Sequence, residues 1–196
     1  MSLVELCNLS LSRIGADTIN SLDEPTREAR LCNAHVLDVL EETQANFPWS
    51  FNYASQKLAP NTDPPLDPRF SYWYSFPFDF VRFSELLDSD KTVTHDYMIV
   101  AKGIVANVTP VTLLYHTISL DTGIFPRWYH SCVVDALSVR IVMGLTRDVK
   151  LLRILQEAAD LSYRNAVEQE RSSDNVIRPL GGESYSHKSI LASRIV

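Results

Sequence analysis

The chain has 196 residues, of which 45% are hydrophobic and 21% charged, so it predicts one domain, or one domain with an insertion, around a substantial core. Its formal net charge of −6 argues against a nucleic-acid binder with a basic face. The sequence has neither a basic leader nor an apolar run of about 20 residues, which predicts a protein made in the cytoplasm without secretion or a membrane span.

The first zone, residues 1–48, has the periodicity of two amphipathic helices, predicted over 2–15 and 25–46. Ser2 and Glu5 match the Ser-x-x-Glu capping box, and Gly15 supplies a left-handed stop. Because the connection between the helices is short, they should pack antiparallel. The apolar stripes are Leu3, Leu6, Cys7, Leu11 and Ile14 on the first helix and Ala29, Cys32, Val36, Val39 and Leu40 on the second.

The second zone, residues 49–120, changes to the two-residue period of strands and predicts a small, mostly antiparallel sheet. Trp73 and Phe78 are predicted to lie on the opposite face of this sheet from an aromatic row. A sheet that is apolar on both faces must be covered twice, which makes Trp73 and Phe78 candidate interface residues. The aromatic row is Phe70, Tyr72, Tyr74 and Phe76.

Two turn signals interrupt this zone. Lys102 and Gly103 lie between two apolar runs and predict a hairpin turn. Four prolines between Pro60 and Pro68 predict an irregular loop, because proline lacks the N–H that helices and ladders use.

The third zone, residues 121–172, returns to helical periodicity, with helices predicted over 126–144 and 147–171. Helices at both ends of the chain and strands between them predict an α+β fold. We expect an antiparallel four-helix bundle, built from 1–48 and 121–172, that carries 49–120 as an inserted small antiparallel β domain. The predicted inner faces are Trp128, Cys132, Ala136, Val139 and Met143 on the third helix and Leu152, Leu155, Ala159, Ser162, Tyr163 and Ala166 on the fourth.

The last segment, residues 173–196, is polar and contains Pro179, Gly181 and Gly182. This composition predicts a flexible C-terminal arm, with a frayed terminus as the simpler interpretation. Apolar residues at its end make the arm a candidate for docking on a neighbouring protein. The candidate interface residues there are Ile190, Leu191, Ile195 and Val196.

No motif in the chain indicates a catalytic, cofactor-binding or metal site. Three cysteines in helical patterns predict buried, reduced thiols, and five scattered histidines lack metal-ligand spacing. Acidic residues leave a glycan hydrolase of cell wall or capsule as an alternative, since such enzymes use paired carboxylates. The candidate carboxylates are Glu41, Glu42, Asp79, Glu85 and Asp88.

The opening helices, together with the segment Phe47-Pro48-Trp49-Ser50-Phe51 that follows them, resemble the tail tubular protein A family. This family comprises the head-to-tail adaptors of short-tailed bacteriophages. The aromatic segment from Tyr72 to Val81 is similar to the family's aromatic strand and the segment after it, with Pro77, Asp79 and Arg82 at matching places. Residues 126–145 and 157–171 resemble its third and fourth helices, so the likeness covers roughly residues 2–172.

The resemblance implies a structural virion protein without enzymatic activity or cofactor. It would form a twelvefold ring beneath the portal, extend the DNA channel for genome retention and ejection, and give the tail nozzle a platform. The helical part would face the portal and the β part the nozzle, and an acidic lumen would let double-stranded DNA pass without tight binding. A further alternative is a bacterial helical scaffold unrelated to phage.

Overall fold

The computed structural model describes residues 1–65 and 67–174. It contains four helices, each within three residues of its predicted bounds, and six strands. The helices are α1 (Leu3–Arg13), α2 (Arg27–Ala45), α3 (Arg127–Leu145) and α4 (Val149–Asp174). The strands are β1 (Tyr53–Leu58), β2 (Tyr72–Ser75), β3 (Arg82–Leu87), β4 (Tyr97–Val100), β5 (Gly103–Ala106) and β6 (Val111–His116).

Local signals set the ends of α1. The Glu5 amide donates to Ser2 Oγ at 3.2 Å and the Ser2 amide donates to Glu5 Oε2 at 2.6 Å, which confirms the predicted capping box. Gly15 has a φ of 70°, the left-handed conformation predicted for the stop. The start of α2 lies slightly later than its acidic signal, because Thr26 Oγ1 accepts from the Ala29 amide and caps the helix.

The predicted four-helix bundle with an inserted β domain is wrong. In a bundle each helix packs against two neighbours around a shared axis. Here α3 is a central helix that packs against α1, α2 and α4, whereas α1 and α2 approach each other only briefly. A groove of about 460 Å³ separates α2 from α4 and is lined from α3 by Cys132, Ala136 and Val139.

The burial of α3 explains this arrangement. Its predicted single inner face is also wrong, since Met143 is exposed and Ala136 and Val139 are only half-buried. The buried residues instead surround the helix. Cys132, Val133 and Val134 are consecutive and all buried, and they point to different sides of α3 because successive residues of an α-helix are rotated by 100°. A helix that is apolar on all sides requires neighbours on several sides. The buried apolar residues of α3 are Tyr129, Cys132, Val133, Val134, Leu137, Ile141 and Val142.

The β part contains two three-stranded antiparallel sheets where one small sheet was predicted. One sheet has the order β1-β6-β3 and the other the order β2-β5-β4. Side chains of both sheets form one hydrophobic core, separate from the helical core, so the two sheets pack against each other. The buried residues of this second core are Leu58, Tyr74, Leu86, Ile104, Ala106, Val111, Leu113 and Tyr115.

The hairpin between β4 and β5 differs from its prediction by one residue. Ala101 and Lys102 form the turn, and Gly103 is the first residue of β5, paired with Val100 and Ser75. A Cβ atom at Gly103 would lie 1.9 Å from the Tyr74 carbonyl oxygen. Glycine is therefore required there by the close approach of β2 and not by the turn.

Polar contacts join the helical and β parts. The Gln44 side chain exchanges two hydrogen bonds with the Ser119 backbone, at 2.8 and 2.9 Å. Arg82 Nη2 donates to the Ala45 carbonyl at the end of α2. On α4, Glu170 is buried and its Oε1 accepts from the Ser50 amide, although the charged sequence around Glu170 is typical of a solvated helix. These contacts join the end of α2 to the start of β3 and to the segment after β6, and the end of α4 to the segment before β1.

The three cysteines confirm the prediction of buried thiols. The hydrogen bond with Cys32 and burial raise the pKa of the Cys7 thiol, and burial raises the pKa of Cys132 to about 12. Because all three sulfur atoms are buried, we expect a disulfide reagent to label the native protein slowly and the denatured protein fully. Rapid labelling of all three thiols under native conditions would contradict this packing.

Candidate interaction surface

Among the described residues, the most exposed aromatic side chain lies in the segment 76–80, which we call the aromatic turn. It follows β2 and precedes β3. The Phe80 amide donates to the Pro77 carbonyl at 3.2 Å, which closes the turn, and the rings of Phe76 and Phe80 stack at its base with centroids 3.8 Å apart. The Phe76 amide also donates to the Lys102 carbonyl. Both ends of the turn are thus attached to the β core.

Asp79 anchors the same turn through both of its carboxylate oxygens. Oδ1 accepts from the Tyr115 hydroxyl at 3.1 Å, and Oδ2 accepts from Thr117 Oγ1 at 3.0 Å. Burial, followed by the bond to Asp79, raises the pKa of Tyr115, so this hydroxyl stays a donor at neutral pH. Both donors are hydroxyl groups, so these two contacts fix the turn to β6 and to the residue that follows β6 without pairing Asp79 with a cation.

Phe78 occupies that tip and is fully exposed. It was predicted to lie on a sheet face, but β2 ends at Ser75 and Phe78 lies in the turn beyond it. A phenyl ring held in water by a rigid backbone makes no contribution to the core of this chain. Exposed aromatic anchors of this kind are typical of protein interfaces, where Phe, Tyr and Trp are enriched.

Trp73 lies on the outer face of the β2-β5-β4 sheet, opposite Tyr72 and Tyr74, as the alternation predicts. It is half-buried and pairs in register with Val105, which is buried. The Trp73 carbonyl also accepts from the Asn61 amide at 2.7 Å, so the proline-containing loop runs along this edge of the sheet. Trp73 therefore covers Val105, and of the two candidate residues in the β part only Phe78 is fully exposed.

The other candidate interface residues lie outside the described part of the chain. They are Ile190, Leu191, Ile195 and Val196, in the proposed C-terminal arm. The described helix α4 continues to Asp174, slightly beyond the predicted start of that arm.

An open groove between α1 and α3 was missed by sequence reasoning. It has a volume of about 950 Å³, and its lining residues include Leu9, Arg13, Arg127, Trp128 and Val134. Leu9 is exposed, and its place outside the apolar stripe of α1 was the available signal. We call it the α1–α3 groove. Its lining side chains include no carboxylate.

The five carboxylates that suggested a hydrolase either make structural contacts or are exposed to solvent. Asp79 anchors the aromatic turn, and Asp88 accepts from the Asp90 and Thr92 amides and from Thr92 Oγ1 in a surface turn. Glu42 forms an ion pair with Arg140 on the surface. Glu41 and Glu85 are exposed. None of these contacts pairs one of the five carboxylates with another.

A buried histidine, His116 of β6, lies where the helical and β parts meet. Its Nδ1 lies 3.2 Å from the Trp49 carbonyl and 3.0 Å from Asn52 Oδ1. Both neighbours are acceptors, so Nδ1 carries the proton of the neutral ring. Burial lowers the pKa of His116, the hydrogen bond to the Trp49 carbonyl opposes this shift, and the charge of nearby Arg82 lowers the pKa further.

We expect the free energy of unfolding to decrease as the pH falls from about 7.5 to about 5.5, across the usual histidine pKa of about 6.5. His116 resists protonation in the folded protein, whereas the unfolded chain takes up the proton freely, so acid favours unfolding. Urea titrations at several pH values measure this. In His116→Gln the decrease should be smaller, and an unchanged decrease would contradict the assignment to His116.

Among the described residues, no group of three or more His, Cys, Asp or Glu side chains is placed to hold a metal ion, and no described helix is long and apolar enough to span a membrane. Fold and surface define an α+β protein with four helices, two three-stranded antiparallel sheets and an exposed aromatic turn. No protein-family model matches the chain, and no curated protein matches it significantly.

Proposed function

We propose that this chain is a structural protein of a phage virion, a head-to-tail adaptor that forms a ring between the portal and the tail nozzle. The observation that carries the proposal is Phe78, an exposed aromatic side chain on a turn held by stacked rings and by Asp79. Such a feature serves binding to another protein, since the Phe78 ring is not covered by any of the described residues. The sequence resemblance over residues 2–172 supplies the identity of the partners.

In this proposal the chain acts by assembling and not by catalysing. The helical part contacts the portal and the β part contacts the nozzle, with the C-terminal residues as a second attachment. Twelve copies surround the DNA channel, in which the acidic chain allows duplex DNA to pass without tight binding. The aromatic turn belongs to the β part, and its exposed Phe78 is available for binding to another protein of the assembly.

Electron microscopy of the purified chain mixed with the portal protein of the same phage tests this function. We expect a ring coaxial with the portal that lengthens its channel. The portal protein alone and the chain alone serve as controls for density at that place. Absence of any complex, at concentrations where both proteins are soluble, would overturn the proposal.

A further inference from the structure

The aromatic turn and the α1–α3 groove are two distinct surfaces of one chain, and the groove is large enough to hold the side chain at the tip of the turn. The turn is held at both ends, so placing Phe78 in a pocket costs little conformational freedom. The groove is open and, at about 950 Å³, has room for a phenyl ring. Phe78 is fully exposed, so it does not occupy the groove of its own chain.

The chemistry of the two surfaces also matches. Leu9, Trp128 and Val134 offer apolar and aromatic contacts to a phenyl ring. Arg13 and Arg127 line the same groove, and Arg13 pairs with the largely buried Asp135, which leaves Arg127 as the cation for an occupant. An arginine next to a phenyl ring attracts both its face and an adjacent carboxylate.

The charged side chains of the aromatic turn complete this match. Asp79 follows Phe78 in the chain, and its two hydrogen-bond donors are hydroxyl groups and not cations. Arg82, the nearest cation along the chain, is directed to the Ala45 carbonyl at the end of α2. The turn thus contains an aromatic ring and a carboxylate, whereas the residues that line the groove include two arginines and no acidic residue.

We infer that Phe78 of one copy inserts into the α1–α3 groove of a second copy, with Asp79 next to the second copy's Arg127. The two surfaces differ, so the contact is heterologous, and its repetition closes a ring or extends a filament. The inference rests on the proposed ring and names the contact between its neighbouring subunits.

Sedimentation velocity on the full chain tests the contact with two complementary variants. Phe78→Ala removes the inserted ring and keeps the groove, whereas Ser131→Trp fills the groove and keeps the ring. Each variant alone should associate at least roughly tenfold more weakly than the unaltered chain, since a buried aromatic anchor is an interface hot spot. Leu161→Ala, at an exposed position of α4, is the matched control and should associate normally.

Mixing the two variants gives the decisive result. Ser131→Trp still has Phe78 and Phe78→Ala still has an open groove, so the mixture should form one-to-one dimers that do not grow further. The inference is overturned if the mixture stays monomeric, if either variant assembles like the unaltered chain, or if Leu161→Ala is equally defective. It is also overturned if the unaltered chain remains monomeric up to millimolar concentration.

Melting curves and the portal experiment distinguish loss of this contact from misfolding and from failure of the adaptor function. Phe78 and Ser131 are both exposed, so both variants should melt like the unaltered chain, and a lower melting temperature would trace weak association to misfolding. If the chain assembles through Phe78 and yet never attaches to a portal, the contact stands and the adaptor function fails. If the Phe78→Ala variant forms the same ring on the portal as the unaltered chain, the contact is wrong and the adaptor function stands.

Discussion

Replacement of Trp49 by alanine should destabilise the folded protein by roughly 3–5 kcal/mol, the usual cost of removing a large buried aromatic side chain. Trp49 is fully buried, and its Nε1 donates to the Thr43 carbonyl at 2.9 Å. The surrounding rings come from the segment between α2 and β1, the start of α3 and the middle of α4, and the Nε1 bond attaches Trp49 to α2, so a cavity here loosens all three helices. These rings are Phe47, Phe51, Trp128, Tyr129 and Tyr163.

Urea or guanidinium unfolding measures this loss. Trp49→Phe should cost less than Trp49→Ala, because a ring remains and only the Nε1 hydrogen bond and part of the volume are lost. Trp73→Ala is the matched control, since Trp73 is the same residue type at a half-exposed position. If Trp73→Ala destabilised the protein as much as Trp49→Ala, the ring cluster around Trp49 would not be the centre of the helical core.

Substitution of Gly103 by alanine should cost about 3 kcal/mol or more, the upper range for inserting atoms into a packed site. The new Cβ would lie 1.9 Å from the Tyr74 carbonyl oxygen and 2.9 Å from its carbon, so the backbone of β2 must move. That movement separates β2 from β5 and displaces the buried Tyr74 ring, whose hydroxyl donates to the Val108 carbonyl at 2.8 Å.

Gly144→Ala is the control for the effect of the alanine itself. Its Cβ would also be crowded, at 2.8 Å, but by Leu31 Cδ1, the far end of a side chain that can rotate away. Alanine also improves helix propensity by up to about 1 kcal/mol, so this variant should be close to neutral. Denaturant unfolding compares the two variants, and equal losses would contradict the close approach of β2 to β5.

The positions of the helices followed from local information. The capping box at Ser2 and Glu5 and the left-handed Gly15 mark the ends of α1 within the sequence itself. Apolar periodicity located the other helices, and it also identified Cys7 and Cys32 as core residues, because both lie on the buried stripes of α1 and α2. Signals of this kind involve residues close in the chain, so one sequence contains them in full.

The arrangement of these elements depends on contacts between residues far apart in the chain. The strand β6 pairs with β1 and with β3, which splits the predicted sheet into two, and periodicity carries no information about such partners. Apolar residues on all sides of α3 require several neighbouring elements, but they do not determine which elements these are. The sequence predicted a third helix with one inner face, and it did not determine that this helix is the centre of the helical part.

The sequence by itself determined that the chain is α+β, where its four helices lie, which thiols are buried and which aromatic residues were candidates for an interface. Only the tertiary structure decided that Trp73 covers Val105, that Phe78 is exposed on an anchored turn, and that Glu170 is buried against the Ser50 amide. The reason is physical: periodicity reports the environment of a regular element. The exposure of a turn residue and the burial of a charged one depend on the distant groups that happen to surround them.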